Sequence, residues 1–123
     1  MKDDFNVTTF GPHECDPSGK GAHELGAKFD DGKVRMGLVI GGFSRALVGV
    51  GVVATFGAAK YSDNGWKHVD DGVARYTDAM HRHFLAEAGG ELVDGDSGLM
   101  HAAHAAWNAL ARLELLLAEG EKV

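Results

Sequence analysis

The chain has 123 residues, 45% hydrophobic and 24% charged, the balance of one globular domain able to bury about two-thirds of its unfolded surface. Its formal net charge of −6, from 12 Lys and Arg against 18 Asp and Glu, argues against duplex nucleic acid as a partner, because binding it requires neutralising many phosphates. A few converging cations would still suffice for one nucleotide.

The one cysteine, Cys15, has no intrachain partner, so the fold does not rest on a disulfide framework and a reducing cytoplasm fits. The opening Met-Lys-Asp-Asp-Phe-Asn has no apolar run of signal-peptide form. The longest apolar stretch, 37 to 59, is broken by Ser44, Arg45 and six glycines. No membrane association is expected.

Residues 1–27 are rich in Gly, Asp, His and Pro without helical or strand periodicity and read as an N-terminal arm or leader. It carries Phe5, Val7 and Phe10, which a partner subunit would cover. Residues 28–123 read as a single helical domain. It opens with Lys28-Phe-Asp-Asp-Gly-Lys-Val-Arg35, where Asp31-Gly32 favours a tight turn flanked by Lys28, Lys33 and Arg35. Such a turn suits either a phosphate or plain solvent.

From 36 to 59 the apolar positions Leu38, Val39, Phe43, Leu47, Val50, Val53 and Ala54 recur at steps of three and four. They predict a helix from about Gly42, with Ser44 as a cap and a strand as the runner-up. Ser62-Asp-Asn-Gly65 ends it in a turn. A second helix is expected from about Asp71 to Ala88, burying Val73, Thr77, Met80, Phe84 and Ala88 and stopped by Gly89-Gly90. After a short acidic loop, a third is expected from about Leu99 to Glu119, with Leu99, Ala103, Ala106, Trp107, Leu110, Leu113 and Leu117 as its apolar face. The expected fold is mainly α: a compact bundle of about three core helices with an extended arm. Its core is thin in large side chains, so an oligomer is expected.

Beside the apolar face of the last helix, His101, His104 and Asn108 form a polar stripe, and His83 and Glu87 lie four apart on the preceding helix. Antiparallel packing across the loop would bring these together with Glu91, Asp94 and Asp96. Imidazoles and carboxylates in one cluster suit a divalent metal, and for the histidines buried structural hydrogen bonding is an equal alternative. In the loop, Asp96 or Ser97 can instead cap the last helix. Tyr61, Trp66 and Trp107 offer stacking faces for a base, or core. No Gly-x-Ser-x-Gly elbow or Gly-x-x-x-x-Gly-Lys-Ser/Thr loop occurs, which argues against those enzyme classes.

The ordered set Lys28-Phe-Asp-Asp-Gly-Lys-x-Arg35, Thr55-Phe-Gly-Ala-x-Lys-Tyr-x-x-Asn-x-Trp66, Arg75-Tyr76, Arg82-His83, Gly90-Glu-x-x-Asp94, Ser97-Gly98 and His101-x-x-His-Ala-x-x-Asn108 resembles the phage and prophage dATP/dGTP diphosphohydrolase N-terminal family over about residues 26 to 118. The resemblance implies a helical nucleotide-binding domain in the cytoplasm, that of the host if phage-encoded, and removal of pyrophosphate from purine deoxynucleoside triphosphates. The MazG-like all-α NTP pyrophosphatases are similar in function class. Glu91-x-x-Asp94 is the counterpart of their second carboxylate motif, and His83 and Glu87 stand in place of the first.

Two readings follow. In a metal-dependent diphosphohydrolase, Glu91, Asp94 and Asp96 are catalytic, and His83, Glu87, His101 and His104 are candidate ligands for Mg²⁺ or Mn²⁺. Lys28, Lys33, Arg35, Lys60, Tyr61, Trp66, Arg82 and Asn108 are then substrate-binding. The alternative is a non-catalytic sponge that sequesters a nucleotide immune signal with the same basic and aromatic residues.

Overall fold

A computed structural model describes residues 14–121; the expectations for Phe5, Val7 and Phe10 lie outside them. The elements in order are α1 (Gly37–Ile40), α2 (Ser44–Lys60), a 3₁₀ turn (Gly65–His68), α3 (Gly72–Ala88) and α4 (His101–Glu121). Among the described residues no strand forms; the Val93–Met100 pair makes an isolated antiparallel bridge. The architecture is mainly helical, as expected, and no described helix is long and apolar enough to cross a membrane.

The three long helices begin and end within about two residues of their expected limits. Ser44 is the first residue of α2 rather than its cap: Phe43 occupies that position and makes no side-chain cap bond. The glycine pair ends α3 through backbone geometry. Gly90 takes φ +100°, its N–H donates to Glu87 O (3.0 Å), and the Glu91 N–H donates to Ala86 O (3.0 Å). This is a Schellman closure, which a residue with a Cβ resists at the left-handed position.

α4 is the central element, with α3 packed along one side and α2 on another. At the far end from the acidic loop, Gly72 lets α3 approach Leu115 closely, since an added Cβ would lie 2.7 Å from its Cδ1. Trp66, Tyr76 and Trp107 meet edge to face with ring centroids 5.5–6.4 Å apart, tying the 3₁₀ turn to both helices. Arg112 Nε donates to Thr77 Oγ1 at 2.7 Å, a second tie between α3 and α4.

The inward stripe of α4 differs from the expected one. His101, His104, Ala105, Asn108 and Ala111 are buried, whereas Leu110 and Leu113 are 49% and 52% exposed. Similarly, Phe84 on α3 and Phe43 before α2 are largely exposed, while Val53 on α2 is buried. Both stripes of α4 have helical periodicity; the small Ala105 and Ala111 allow close helix approach on the polar side, and this places the imidazoles inside the bundle.

Candidate functional site: an imidazole and carboxylate network

Two hydrogen-bond chains meet between α3, α4 and the loop joining them. The loop is closed on itself. Asp94 N–H donates to Leu99 O (2.8 Å), Gly98 N–H to Asp94 O (2.8 Å) and His101 N–H to Leu92 O (3.1 Å); Gly98 takes φ +73° at the bend. Glu91, placed by the Schellman closure of α3, and Asp94, placed by this loop, therefore face the first turn of α4.

In the first chain, Glu91 Oε1 lies 3.1 Å from His101 Nε2, and His101 Nδ1 lies 2.8 Å from His83 Nδ1. A carboxylate only accepts, so His101 presents Nε2–H to Glu91. A neutral His101 then accepts at Nδ1 from His83 Nδ1–H, leaving a lone pair on His83 Nε2. In the second chain, Asp94 Oδ2 accepts from the Ser97 N–H (2.9 Å) and the Ser97 hydroxyl (2.7 Å). Ser97 Oγ in turn lies 2.7 Å from His104 Nε2 and accepts from Leu99 N–H at 3.2 Å. Because its one proton goes to Asp94, His104 must present Nε2–H to it.

The chains join where His83 stacks on His104, with ring centroids 4.5 Å apart and planes within 4°. Burial pushes both imidazoles below the ordinary range. For His83 the neighbouring His104 and His101 add to the effect, and for His104 the Asp94 carboxylate opposes it. The Ser97 hydroxyl holds Asp94 below the usual carboxylate value despite desolvation. At neutral pH the cluster thus combines neutral His83 and His104 with an ionised Asp94, and the Glu91 side chain is 58% exposed at the edge.

The other sequence-predicted residues divide. Asp96 is outside the network and does not cap α4; it pairs with Lys60 (3.1 Å) at the end of α2, which keeps the Lys60 ammonium protonated beyond its usual range. That ammonium is 5.5 Å from the Tyr61 ring centroid and 5.9 Å from that of Phe56. Asn108 is buried and donates to His104 O at 2.8 Å. Trp66 sits in the aromatic cluster. Arg82 and Glu87 are exposed on α3. Lys28, Lys33 and Arg35 are exposed on their own turn, whose hydrogen bonds run back to Asp16 and Cys15 (Lys28 N to Asp16 Oδ2, 2.8 Å; Asp31 N to Cys15 O, 3.1 Å). The Asp31-Gly32 turn forms as expected, with Gly32 at φ +76° and Lys33 N–H on Asp30 O.

Two contributors were missed. Ser97, read as a helix cap, is the link between Asp94 and His104. Phe56, given no role in the sequence, meets His104 edge-on with centroids 6.4 Å apart. The Asp94-x-x-Ser97 spacing, suited to an Asx-type turn, was the available signal for the first.

The donor types of His83, Glu87, His101 and His104 suit a transition metal, but their arrangement does not. Two imidazole nitrogens are hydrogen-bonded to each other at 2.8 Å, closer than two ligands of one tetrahedral ion would stand, at roughly 2.0–2.1 Å from the ion each. Among the described residues no three His, Cys, Asp or Glu side chains form a group able to hold an ion. The network is a set of hydrogen bonds whose exposed end is the Glu91 carboxylate, with the exposed Asp96 outside it on Lys60.

Neither the curated proteins nor the solved structures contain a match to this chain. The sequence does match the family described as dATP/dGTP diphosphohydrolase, N-terminal, over residues 23–122, a span that includes every residue of both hydrogen-bond chains, and the protein belongs to that family.

Proposed function

We propose that the protein hydrolyses a purine deoxynucleoside triphosphate to the monophosphate and pyrophosphate, using Glu91 as the general base. The observation that carries this is the Glu91–His101–His83 chain, an exposed carboxylate oriented by the buried His101, which the half-buried His83 holds in turn, in a family named for this reaction. Water attacks the α-phosphorus and gives its proton to Glu91. The bond from that phosphorus to the bridging oxygen breaks, and pyrophosphate leaves. His101 fixes the orientation of Glu91 by donating Nε2–H to it, and His83 fixes that tautomer of His101 by donating Nδ1–H to its Nδ1. Asp94 keeps Ser97 and His104 in register behind this chain, while Lys60, held by Asp96, offers the rim a cation for phosphate.

The triphosphate would bring its own divalent ion, Mg²⁺ or Mn²⁺, for which the exposed Asp96 would be an oxygen donor; the ion would neutralise phosphate charge. Lys28, Lys33, Arg35 and Arg82 are further phosphate contacts in this reading, and Tyr61 the exposed face for a base. The test is chromatography of products from dATP, dGTP and other nucleotides with Mg²⁺, Mn²⁺ or EDTA. Purine monophosphate and pyrophosphate, formed only with the ion and lost in Glu91→Gln, are expected. A nucleotide recovered intact and stoichiometric with the protein in EDTA would make it a binding protein that sequesters its ligand.

A further inference from the structure

We infer that Asp96 is a built-in competitor for Lys60: its carboxylate occupies the ammonium that a phosphate group of the ligand takes, so anion binding exchanges one partner for the other. The inference rests on the reading of Lys60 as a phosphate contact and adds what stands in the way of that contact. It concerns binding and does not depend on whether nucleotide is cleaved.

Lys60 is in place before any anion arrives. Between Arg45 and Lys60, α2 has no charged residue, and Lys60 is the last residue of the helix, where the free carbonyls of the helix end favour a cation. Its ammonium stands near the Phe56 and Tyr61 rings, 5.9 and 5.5 Å from their centroids, an attraction that positions the side chain without a counter-ion. The contact with Asp96 is therefore not what holds Lys60; it fills the ammonium's need for an anion.

Asp96 is placed by its own loop. Asp94 Oδ2 accepts the Ser97 N–H, and Asp94 O accepts the Gly98 N–H, so the turn carrying Asp96 is closed whether or not its side chain is paired. Among the described residues the one partner of the Asp96 carboxylate is Lys60 Nζ, at 3.1 Å. The two side chains stay 70% and 46% exposed, and an ion pair in water adds little to stability. Either partner can leave it with little loss to the fold. To the ammonium, Asp96 presents the same kind of anionic oxygen as a phosphate does, with one charge where a polyphosphate carries several. A polyphosphate wins the exchange on charge. A free monocarboxylate has no such advantage over a carboxylate already tethered beside the ammonium, so Asp96 selects multiply charged phosphates over singly charged acids. Once displaced, its carboxylate is free for the ion of the proposed reaction.

The experiment is calorimetric binding of pyrophosphate in EDTA to the full chain as wild type, Asp96→Asn, Lys60→Gln and the double variant, each checked for helical circular dichroism. Asp96→Asn is expected to bind pyrophosphate about two- to five-fold more tightly, the worth of one exposed ion pair. Lys60→Gln is expected to bind more weakly, and in that background Asp96→Asn is expected to change nothing, because the competition is for Lys60 alone. In wild type the carboxylate carbon resonance of Asp96 is expected to shift as pyrophosphate is added, a readout that needs no variant. Equal affinity in wild type and Asp96→Asn, with Lys60→Gln weaker, would overturn the inference and leave Lys60 as a phosphate contact. So would an Asp96 resonance unmoved at saturation, or a gain from Asp96→Asn that persists without Lys60, which is the effect of net charge. No loss on Lys60→Gln, or no binding by any of the four proteins, removes the phosphate reading of Lys60 and the inference with it.

Discussion

Replacing Ser97 with Ala tests the network at its junction. The hydroxyl donates to Asp94 Oδ2, accepts from His104 Nε2–H and accepts from Leu99 N–H. Its removal leaves the Nε2–H of a histidine only 9% exposed with the Asp94 Oδ2, 3.7 Å away, beyond hydrogen-bond reach unless the loop shifts. A buried donor left without a partner costs about 1–3 kcal/mol. Asp94 keeps the Ser97 backbone N–H, so its loss adds little, and a destabilisation of about 2 kcal/mol is expected. For a chain of this length that lowers Tm by about 8 °C. Urea unfolding at fixed protein concentration gives the number. A cycle with Asp94→Asn should return a coupling of about 0.5–3 kcal/mol, since the two residues share a hydrogen bond. Imidazole nitrogen NMR should show the proton of His104 on Nε2. A Ser97→Ala change under about 0.5 kcal/mol, the range of an ordinary surface substitution, with strict additivity and the His104 proton on Nδ1, would refute the assigned network.

Three further outcomes follow from the same contacts. His83 and His104 titrate below the ordinary value of 6.5 when folded, so below that pH the unfolded chain takes up protons the folded one refuses. Stability is then fully present above pH 6.5 and falls as the pH drops toward the depressed folded values; urea midpoints at pH 7.5 and 5.5, compared with those of His83→Gln, check this, and a flat wild-type profile contradicts it. Glu91→Gln should lower kcat by about 10²–10⁴-fold, the usual loss on removing a general base, while nucleotide affinity measured by calorimetry changes little. Gly90→Ala must place a Cβ at φ +100°, where a left-handed conformation costs about 1–2 kcal/mol, so thermal unfolding should show a lower Tm; an unchanged Tm would mean that the Schellman closure does not set the position of Glu91.

The existence of the three long helices, their ends and the turns between them were legible from apolar steps of three and four, from Gly89-Gly90 and from Asp31-Gly32, because these are local properties of backbone and side chain. The spacing of His101, His104 and Asn108 likewise placed them on one face, and the short loop implied that His83 would meet them. What α4 turns inward was not legible. Its leucine stripe and its His/Asn/Ala stripe have the same period, and periodicity does not say which one a neighbouring helix will cover. The tertiary structure put the polar stripe against α3 because alanine at 105 and 111 permits close approach there, and it left Leu110, Leu113 and the outer face of α2 exposed. Proton positions too were beyond the sequence. That His104 carries its proton on Nε2 follows from Ser97 standing between it and Asp94, a three-body arrangement that exists only once the loop has closed.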